Sequence, residues 1–441
     1  MMLENYSKEI QKALKKKAIS AGDRVLVEKG KETFEGILMP KAAGDPDTIV
    51  VKLGSGYNVG VAFEGAKMKK LKSEEKALKA GKPEFDKSKP PVSMVSTGGT
   101  ITSRIDYKTG GVRALTEPSE LLYNIPELFS IVNMRDIIRP FTKMSEDMDS
   151  ADWQTLAEII AKELNKDSRG VIITHGTDTL HYTSAALSFM LRNLSKPVVL
   201  VGAQRSTDRG SADTAMNLIC SAYAALSDIA EVGICMHATT NDDYCIFSRG
   251  TKVRKMHTTR RDAFRPINEL PLAKIWPSGN IEIVNQNYRK RSEGAVKADT
   301  KFEEKVSLLK VYPGSEPSVM EYLIKKGCKG FVLEATALGH VPVSAKKSWI
   351  PQIKSAIERG IPVVITSQSL YGRVDPYVYS NLRILAATGA IFAEDMLPET
   401  AYVKLGFVLG HAKKMDEIKK LMLTNMAGEI TGRIDPRAFL C

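Results

Sequence analysis

Four nearly continuous apolar runs constrain this chain more than any other feature: "PVSMVS" from Pro91, "GVIITHG" from Gly170, "KPVVLVGA" from Lys196 and "EVGICMHA" from Glu231. None shows a sustained polar alternation, so each predicts a strand covered on both faces. Between them lie "WQTLAEIIAKELN", "TLHYTSAALSFMLRNL" and "ADTAMNLICSAYAAL". Their apolar residues recur at helical spacing, as in Trp153, Leu156, Ile159, Ile160 and Leu164. Strand–helix alternation of this kind predicts a mainly parallel sheet with helices on both faces. Such sheets bind ligands at the carboxyl ends of their strands. The chemistry is therefore sought just after each apolar run.

The rest of the chain falls on either side of this block. A length of 441 residues exceeds what one core organises. Residues 1–88 read as a small β-barrel domain plus linker: short alternating runs ("DRVLVE", "TFEGILMP", "TIVVKLG", "YNVGVAF") are punctuated by Gly, Pro, Asp and Asn. The charged stretch "KMKKLKSEEKALKAGKPEFDKSKPP" follows as linker. Residues 89–285 form the first α/β domain, and residues 303–441 repeat the strand–helix pattern in a second, smaller α/β domain with a helical tail. The net charge is +12. Residues 1–90 carry 19 Lys/Arg against 13 Asp/Glu, so half of that charge sits in about a fifth of the chain. Lysine runs such as "KALKKK" and "KMKKLK" are ordinary on solvated faces, yet they also suit a polyanionic partner.

Composition excludes several classes. The five cysteines are scattered without CxxC spacing, which argues for reduced thiols and against a disulfide frame. The six histidines form no HExxH or related pattern, so no metal is expected. No apolar run approaches a membrane span, and "MMLENYSKEIQKALKKK" has no signal-peptide core; a cytoplasmic protein without membrane contact is the expectation.

Three strand ends carry small residues and hydroxyls: "VSTGGT", "IITHGTDT" and "VVLVGAQRSTDRGS". Singly, each reads as a strand-to-loop turn with a helix cap. "TGGT" fits neither the GxGxxG dinucleotide spacing nor a Walker A loop. Together they bring two hydroxyl-bearing strand ends to one sheet, one of them next to an acid, Asp178. A threonine hydroxyl is a weak nucleophile and needs an adjacent base. Lys255, in "RGTKVRKMHTTRRDAF", is the candidate. A lysine acts as a base only when partly neutral, which a nearby carboxylate opposes. The conflict eases if Asp178 spends its charge on a substrate ammonium.

The ordered set "STGGTI", "THGTDT", "VLVGAQR" and "VRKMHT" resembles the asparaginase/glutaminase family over about residues 90–425. That resemblance implies two α/β domains of asparaginase type behind the small barrel. It implies catalytic roles for Thr100, Thr177, Asp178 and Lys255, and places Tyr107, in "SRIDYKTG", on a mobile lid. It also implies that Ser145 and Glu146, in "KMSEDMD", bind the α-carboxylate and α-ammonium of the substrate. Glu146 stands where standalone asparaginases often have glutamine. Which threonine is acylated stays open, as does glutamine against asparagine.

The N-terminal extension, together with "AQRSTDRGSADTAMNL" and "VRKMHTTRRDAF", is similar to the D subunits of archaeal glutamyl-tRNA(Gln) amidotransferases. The resemblance implies glutamine hydrolysis, an E-subunit partner, Glu-tRNA(Gln) reached through the complex, and a homodimer within a heterotetramer. No cofactor is implied for this chain; ATP and magnesium serve the reaction of the partner. Two other readings remain at this stage: a free cytoplasmic L-asparaginase with an accessory barrel, and a nucleic-acid-binding protein on an inactive amidase fold.

Overall fold

The computed structural model describes residues 6–39, 45–53, 58–71, 86–99, 101, 103–105, 112–114, 125, 127–205 and 212–440. The central element is an eight-stranded sheet. Its spatial order is Ile281–Ile283, Ala273–Ile275, Cys245–Arg249, Val232–His237, Val198–Val201, Val171–Thr174, Pro91–Ser96 and Asn133–Ile138. The last five strands pair in parallel. The remaining three are added antiparallel, starting from the pairing of Gly233 with Arg249. The predicted apolar runs are the parallel strands, and Val171–Thr174 and Val198–Val201 are buried at every position. The helices Ser150–Leu164, Leu180–Met190 and Thr214–Leu226 supply the covering layers, with Trp153, Leu156, Ile160 and Leu164 in the core. Ile159, expected with them, is only partly buried.

The C-terminal sheet is parallel throughout, in the order Val306–Lys310, Gly330–Ala335, Val363–Ser367, Ile391–Phe392. Its strands alternate between two cores. Phe331, Leu333, Val363 and Ile365 face one helical layer. Val332 and Val364 face the helix Pro398–His411 through Ala401, Leu405 and Val408. The opposite side of that helix packs on the first α/β unit, where Phe407 stacks on Phe189 with centroids 6.1 Å apart. One helix thus serves both units.

The N-terminal strands lie where the sequence predicts a small β-barrel. They form an antiparallel sheet ordered Asn58–Ala62, Thr48–Leu53, Glu32–Leu38, Arg24–Lys29, Lys67–Lys70. Among the described residues no ladder joins the two outer strands. Lys67–Lys70 is only four residues long and carries lysine at three of them, a composition suited to an edge. Ile10 and Leu14 of the helix Lys8–Lys16 complete the core with Val25, Val27, Ile49, Val51 and Val61. Residues 72–85, most of the expected linker, lie outside the described residues. Among the described residues, no helix is long and apolar enough to cross a membrane. Cys220, Cys235, Cys245 and Cys328 are free and buried.

Candidate active site

Backbone crowding explains the two glycines that follow Pro91–Ser96. Thr97 donates both its N–H and its hydroxyl to the Thr174 carbonyl, each at 3.0 Å, while Lys143 N–H donates to the Thr97 carbonyl at 2.9 Å. Gly98 then adopts φ +113°, and a Cβ on it would stand 2.5 Å from the Lys143 carbonyl oxygen. Gly99 has φ +80°, and its Cβ would meet the Cα and N of Gly176 at 2.4 Å. Gly176 in turn lies against Ser145, whose Cβ would be 2.7 Å from an added methyl. Real side-chain carbons do not approach that closely. The loops 97–99, 143–145 and 175–177 therefore stack backbone on backbone, and only glycine permits it.

This stack brings several sequence-predicted residues together. Lys255 ends the short strand Val253–Lys255, which pairs with Phe264–Pro266 in a hairpin. Its Nζ donates to Thr177 Oγ1 at 2.8 Å and to Asp178 Oδ1 at 2.7 Å. Thr177 and the Lys255 side chain are nearly buried, whereas the Asp178 side chain is 65% exposed and open to solute. Ser145 is buried; its Oγ accepts from the Asp178 backbone N–H at 3.2 Å. Thr179 sits at the N-cap position of Leu180–Met190 but makes no side-chain cap bond. Its hydroxyl donates to the Ser145 carbonyl at 2.5 Å instead. The hydroxyl at the N-cap position is thus spent on a contact across the site. Glu146 is exposed in the 3-10 turn Ser145–Asp147. Thr100 and Tyr107 lie outside the described residues.

Other residues brace this arrangement, and sequence reasoning did not single them out. Asp152 chelates Lys143 Nζ with both carboxylate oxygens at 2.8 Å, and that hydrogen bond raises the pKa of Lys143. Asp152 also closes a capping box with Asp149, a spacing readable in "DSAD". Asp213, fully buried, accepts from the backbone N–H groups of Gln204 and Arg205 and from the Asn217 amide, holding the loop after Val198–Val201. Arg254, next to Lys255, pairs with Glu399 of the second α/β unit at 2.9 Å.

Histidine chemistry has little place here. His175 is buried, and burial pushes its pKa down to about 4. Its Nδ1 lies 2.7 Å from the Gly176 carbonyl and its Nε2 2.9 Å from the Thr183 hydroxyl. Trp153 Nε1 donates to that same hydroxyl at 3.1 Å. A neutral ring donating from Nδ1 and accepting at Nε2 satisfies every partner. His175 is thus a packed residue that fixes the loop bearing Thr177. Among the described residues there is no cluster of His, Cys, Asp and Glu able to hold a metal ion.

The same architecture recurs in known proteins. Residues 91–289 match the family described as asparaginase, N-terminal, and residues 305–422 match the glutaminase/asparaginase C-terminal domain. The thermostable L-asparaginase from Thermococcus kodakarensis superposes with a TM-score of 0.70 at 29% identity, covering 78% of this chain and 99% of the asparaginase. L-asparaginase I from Vibrio cholerae gives 0.66 at 30% identity, over 78% of this chain and 99% of that one. Residues 19–71 match the GatD N-terminal domain. The glutamyl-tRNA(Gln) amidotransferase D subunit of Pyrococcus furiosus is 52% identical over 98% of this chain and 99% of its own length. The chain belongs to the family of glutamyl-tRNA(Gln) amidotransferase D subunits. Its counterpart in Thermococcus kodakarensis is 51% identical over 96% of this chain and 97% of its own. Membership of the D-subunit family accounts for both the asparaginase-type units and the N-terminal sheet.

Proposed function

We propose that this chain hydrolyses glutamine to glutamate and ammonia as the D subunit of a tRNA-dependent amidotransferase. Coverage carries the reading. The D subunit of Pyrococcus furiosus matches 98% of the chain, whereas the L-asparaginase of Thermococcus kodakarensis matches 78% of it. The contacts of Lys255 with Thr177 and Asp178 support amide chemistry in the same place. In this proposal the ammonia passes to an E subunit that activates Glu-tRNA(Gln) with ATP and magnesium, in a heterotetramer built on a homodimer of this chain.

The proposed reaction is acyl transfer. The Thr100 hydroxyl attacks the side-chain carbonyl carbon of glutamine, and the C–N bond breaks as the leaving nitrogen takes a proton and departs as ammonia. Water then cleaves the glutamyl ester, releasing glutamate and restoring the hydroxyl. Thr177 and Lys255 move the protons, Asp178 meets the substrate ammonium, and backbone N–H groups receive the oxyanion. Ser145 and Glu146 hold the amino-acid end, and Tyr107 covers Thr100. Mass spectrometry after trapping with an electrophilic glutamine analogue is expected to place the adduct on Thr100. An adduct confined to Thr177 reverses the assignment of nucleophile.

The N-terminal sheet is proposed to serve the complex. A chain starting at Lys89 is expected to keep basal amide hydrolysis within a few-fold. It should lose either association with the E subunit or stimulation of hydrolysis by Glu-tRNA(Gln). Normal conversion of Glu-tRNA(Gln) by the truncated complex overturns that role. If the full chain with an E subunit forms no Gln-tRNA(Gln) yet hydrolyses asparagine freely, the L-asparaginase reading replaces this one.

A further inference from the structure

Below the eight-stranded sheet, at the end away from Thr177 and Lys255, lies a cavity of about 690 Å³. It opens where the loop 164–169 and Lys196 enter the strands Val171–Thr174 and Val198–Val201, against the connecting segment 291–295. That volume falls within the ordinary range for small-molecule pockets.

Its lining is unusually rich in uncompensated cations. Lys166 and Asp167 also face the cavity, but they are spent on Glu163 and Asp136, and on Arg135, respectively. Arg169, Lys196 and Arg291 have no carboxylate in salt-bridge range among the described residues, and the remaining acid of the lining, Glu293, is exposed. Lys196 Nζ donates to the carbonyls of Leu164 at 2.7 Å and Lys166 at 3.1 Å, leaving one N–H uncommitted. Arg291 donates to the carbonyls of Arg169, Ala225 and Ser227, which also leaves one N–H. These carbonyls include the C-terminal ends of the helices Ser150–Leu164 and Thr214–Leu226, so two helix ends fix the cations in place. The Arg169 side chain makes no such anchoring contact among the described residues, and Arg169 is exposed at the rim.

Burial and mutual repulsion leave this positive charge unspent. The pKa of Arg291 is pushed down to about 10 by burial and by Arg169, with Asp228 acting weakly in the other direction. Lys196 is lowered by burial and then by Arg291 and Arg169. A bound anion relieves that cost; Lys196 and Arg291 each offer it one N–H, and the guanidinium fork of Arg169 can meet phosphate oxygens in pairs.

We propose that this cavity is a binding site for a phosphate group, held by Arg169, Lys196 and Arg291. It stands apart from the amide chemistry and does not depend on it. The probe is inorganic pyrophosphate, titrated calorimetrically into the full chain at low ionic strength. Saturable binding is expected, and Arg169→Glu should weaken it by about tenfold or more, since it removes a charge-assisted contact. Arg169→Lys should restore part of the affinity. Neither substitution should change basal ammonia release or the denaturation midpoint. Displacement of pyrophosphate by full-length tRNA, with tRNA binding weakened in parallel by Arg169→Glu, identifies the natural phosphate as one of an RNA backbone. Retention of pyrophosphate against tRNA identifies a free ligand. Absence of saturable binding, or an affinity unchanged in Arg169→Glu, overturns the proposal.

Discussion

Lys255→Ala is expected to lower glutamine hydrolysis by about 10²–10⁴-fold, the usual loss when a proton-transfer group is removed. The ammonium touches both Thr177 Oγ1 and Asp178 Oδ1. Of the histidines close by, His175 is committed to Gly176 and Thr183, His257 of "VRKMHT" accepts from the Thr259 and Arg260 N–H groups, and His181 is buried with its pKa pushed down to about 3 by burial. Among the described residues, Lys255 is the side chain that hydrogen-bonds Thr177 Oγ1. The fold should survive, because Lys255 ends a three-residue strand at the site and is not among the fully buried groups. Ammonia release at neutral pH, with circular dichroism as the control, measures the effect. A variant retaining near-full activity would show that another group moves the proton.

Lys252→Met should instead unfold the protein readily. Lys252 and Asp395 form an ion pair at 2.5 Å with both side chains fully buried. Asp395 is also held by the Thr431 N–H at 2.9 Å, and its carbonyl accepts from Asn268 at 3.1 Å. The pair thus pins the first α/β unit to the second. Removing the lysine strands a buried carboxylate, which costs about 3–5 kcal/mol. Lys252→Met with Asp395→Leu should recover much of that loss, because replacing both partners leaves no orphaned charge. Urea denaturation of the parent, the single variant and the double variant provides the comparison. A single variant within about 0.5 kcal/mol of the parent, as for a surface substitution, sinks the idea.

Two lysines three residues apart thus have opposite assignments, and the sequence "TKVRK" does not distinguish them. Lys252 enters the junction between units while Lys255 reaches the strand-end loops, because the hairpin with Phe264–Pro266 turns one inward and the other toward Thr177. Burial partners from 143 residues away decide this, and no local pattern records them.

The sequence by itself determined the parallel core. Continuous apolar runs must be covered on both faces, and helical-period segments of the right length stood ready to cover them. It also placed small residues and hydroxyls at the strand ends, and it marked Thr177, Asp178 and Lys255 as candidates. Only the tertiary structure decided what each glycine meets: Gly98 the Lys143 carbonyl, Gly99 the Gly176 backbone and Gly176 the Ser145 side chain. It alone revealed the Asp152 and Asp213 braces, the pairing of Arg254 with Glu399, and the strand order of the N-terminal sheet. The division has a physical basis. Hydrophobic periodicity is local and survives in one dimension, whereas ion pairs, backbone stacking and sheet closure depend on segments far apart in sequence meeting at particular distances.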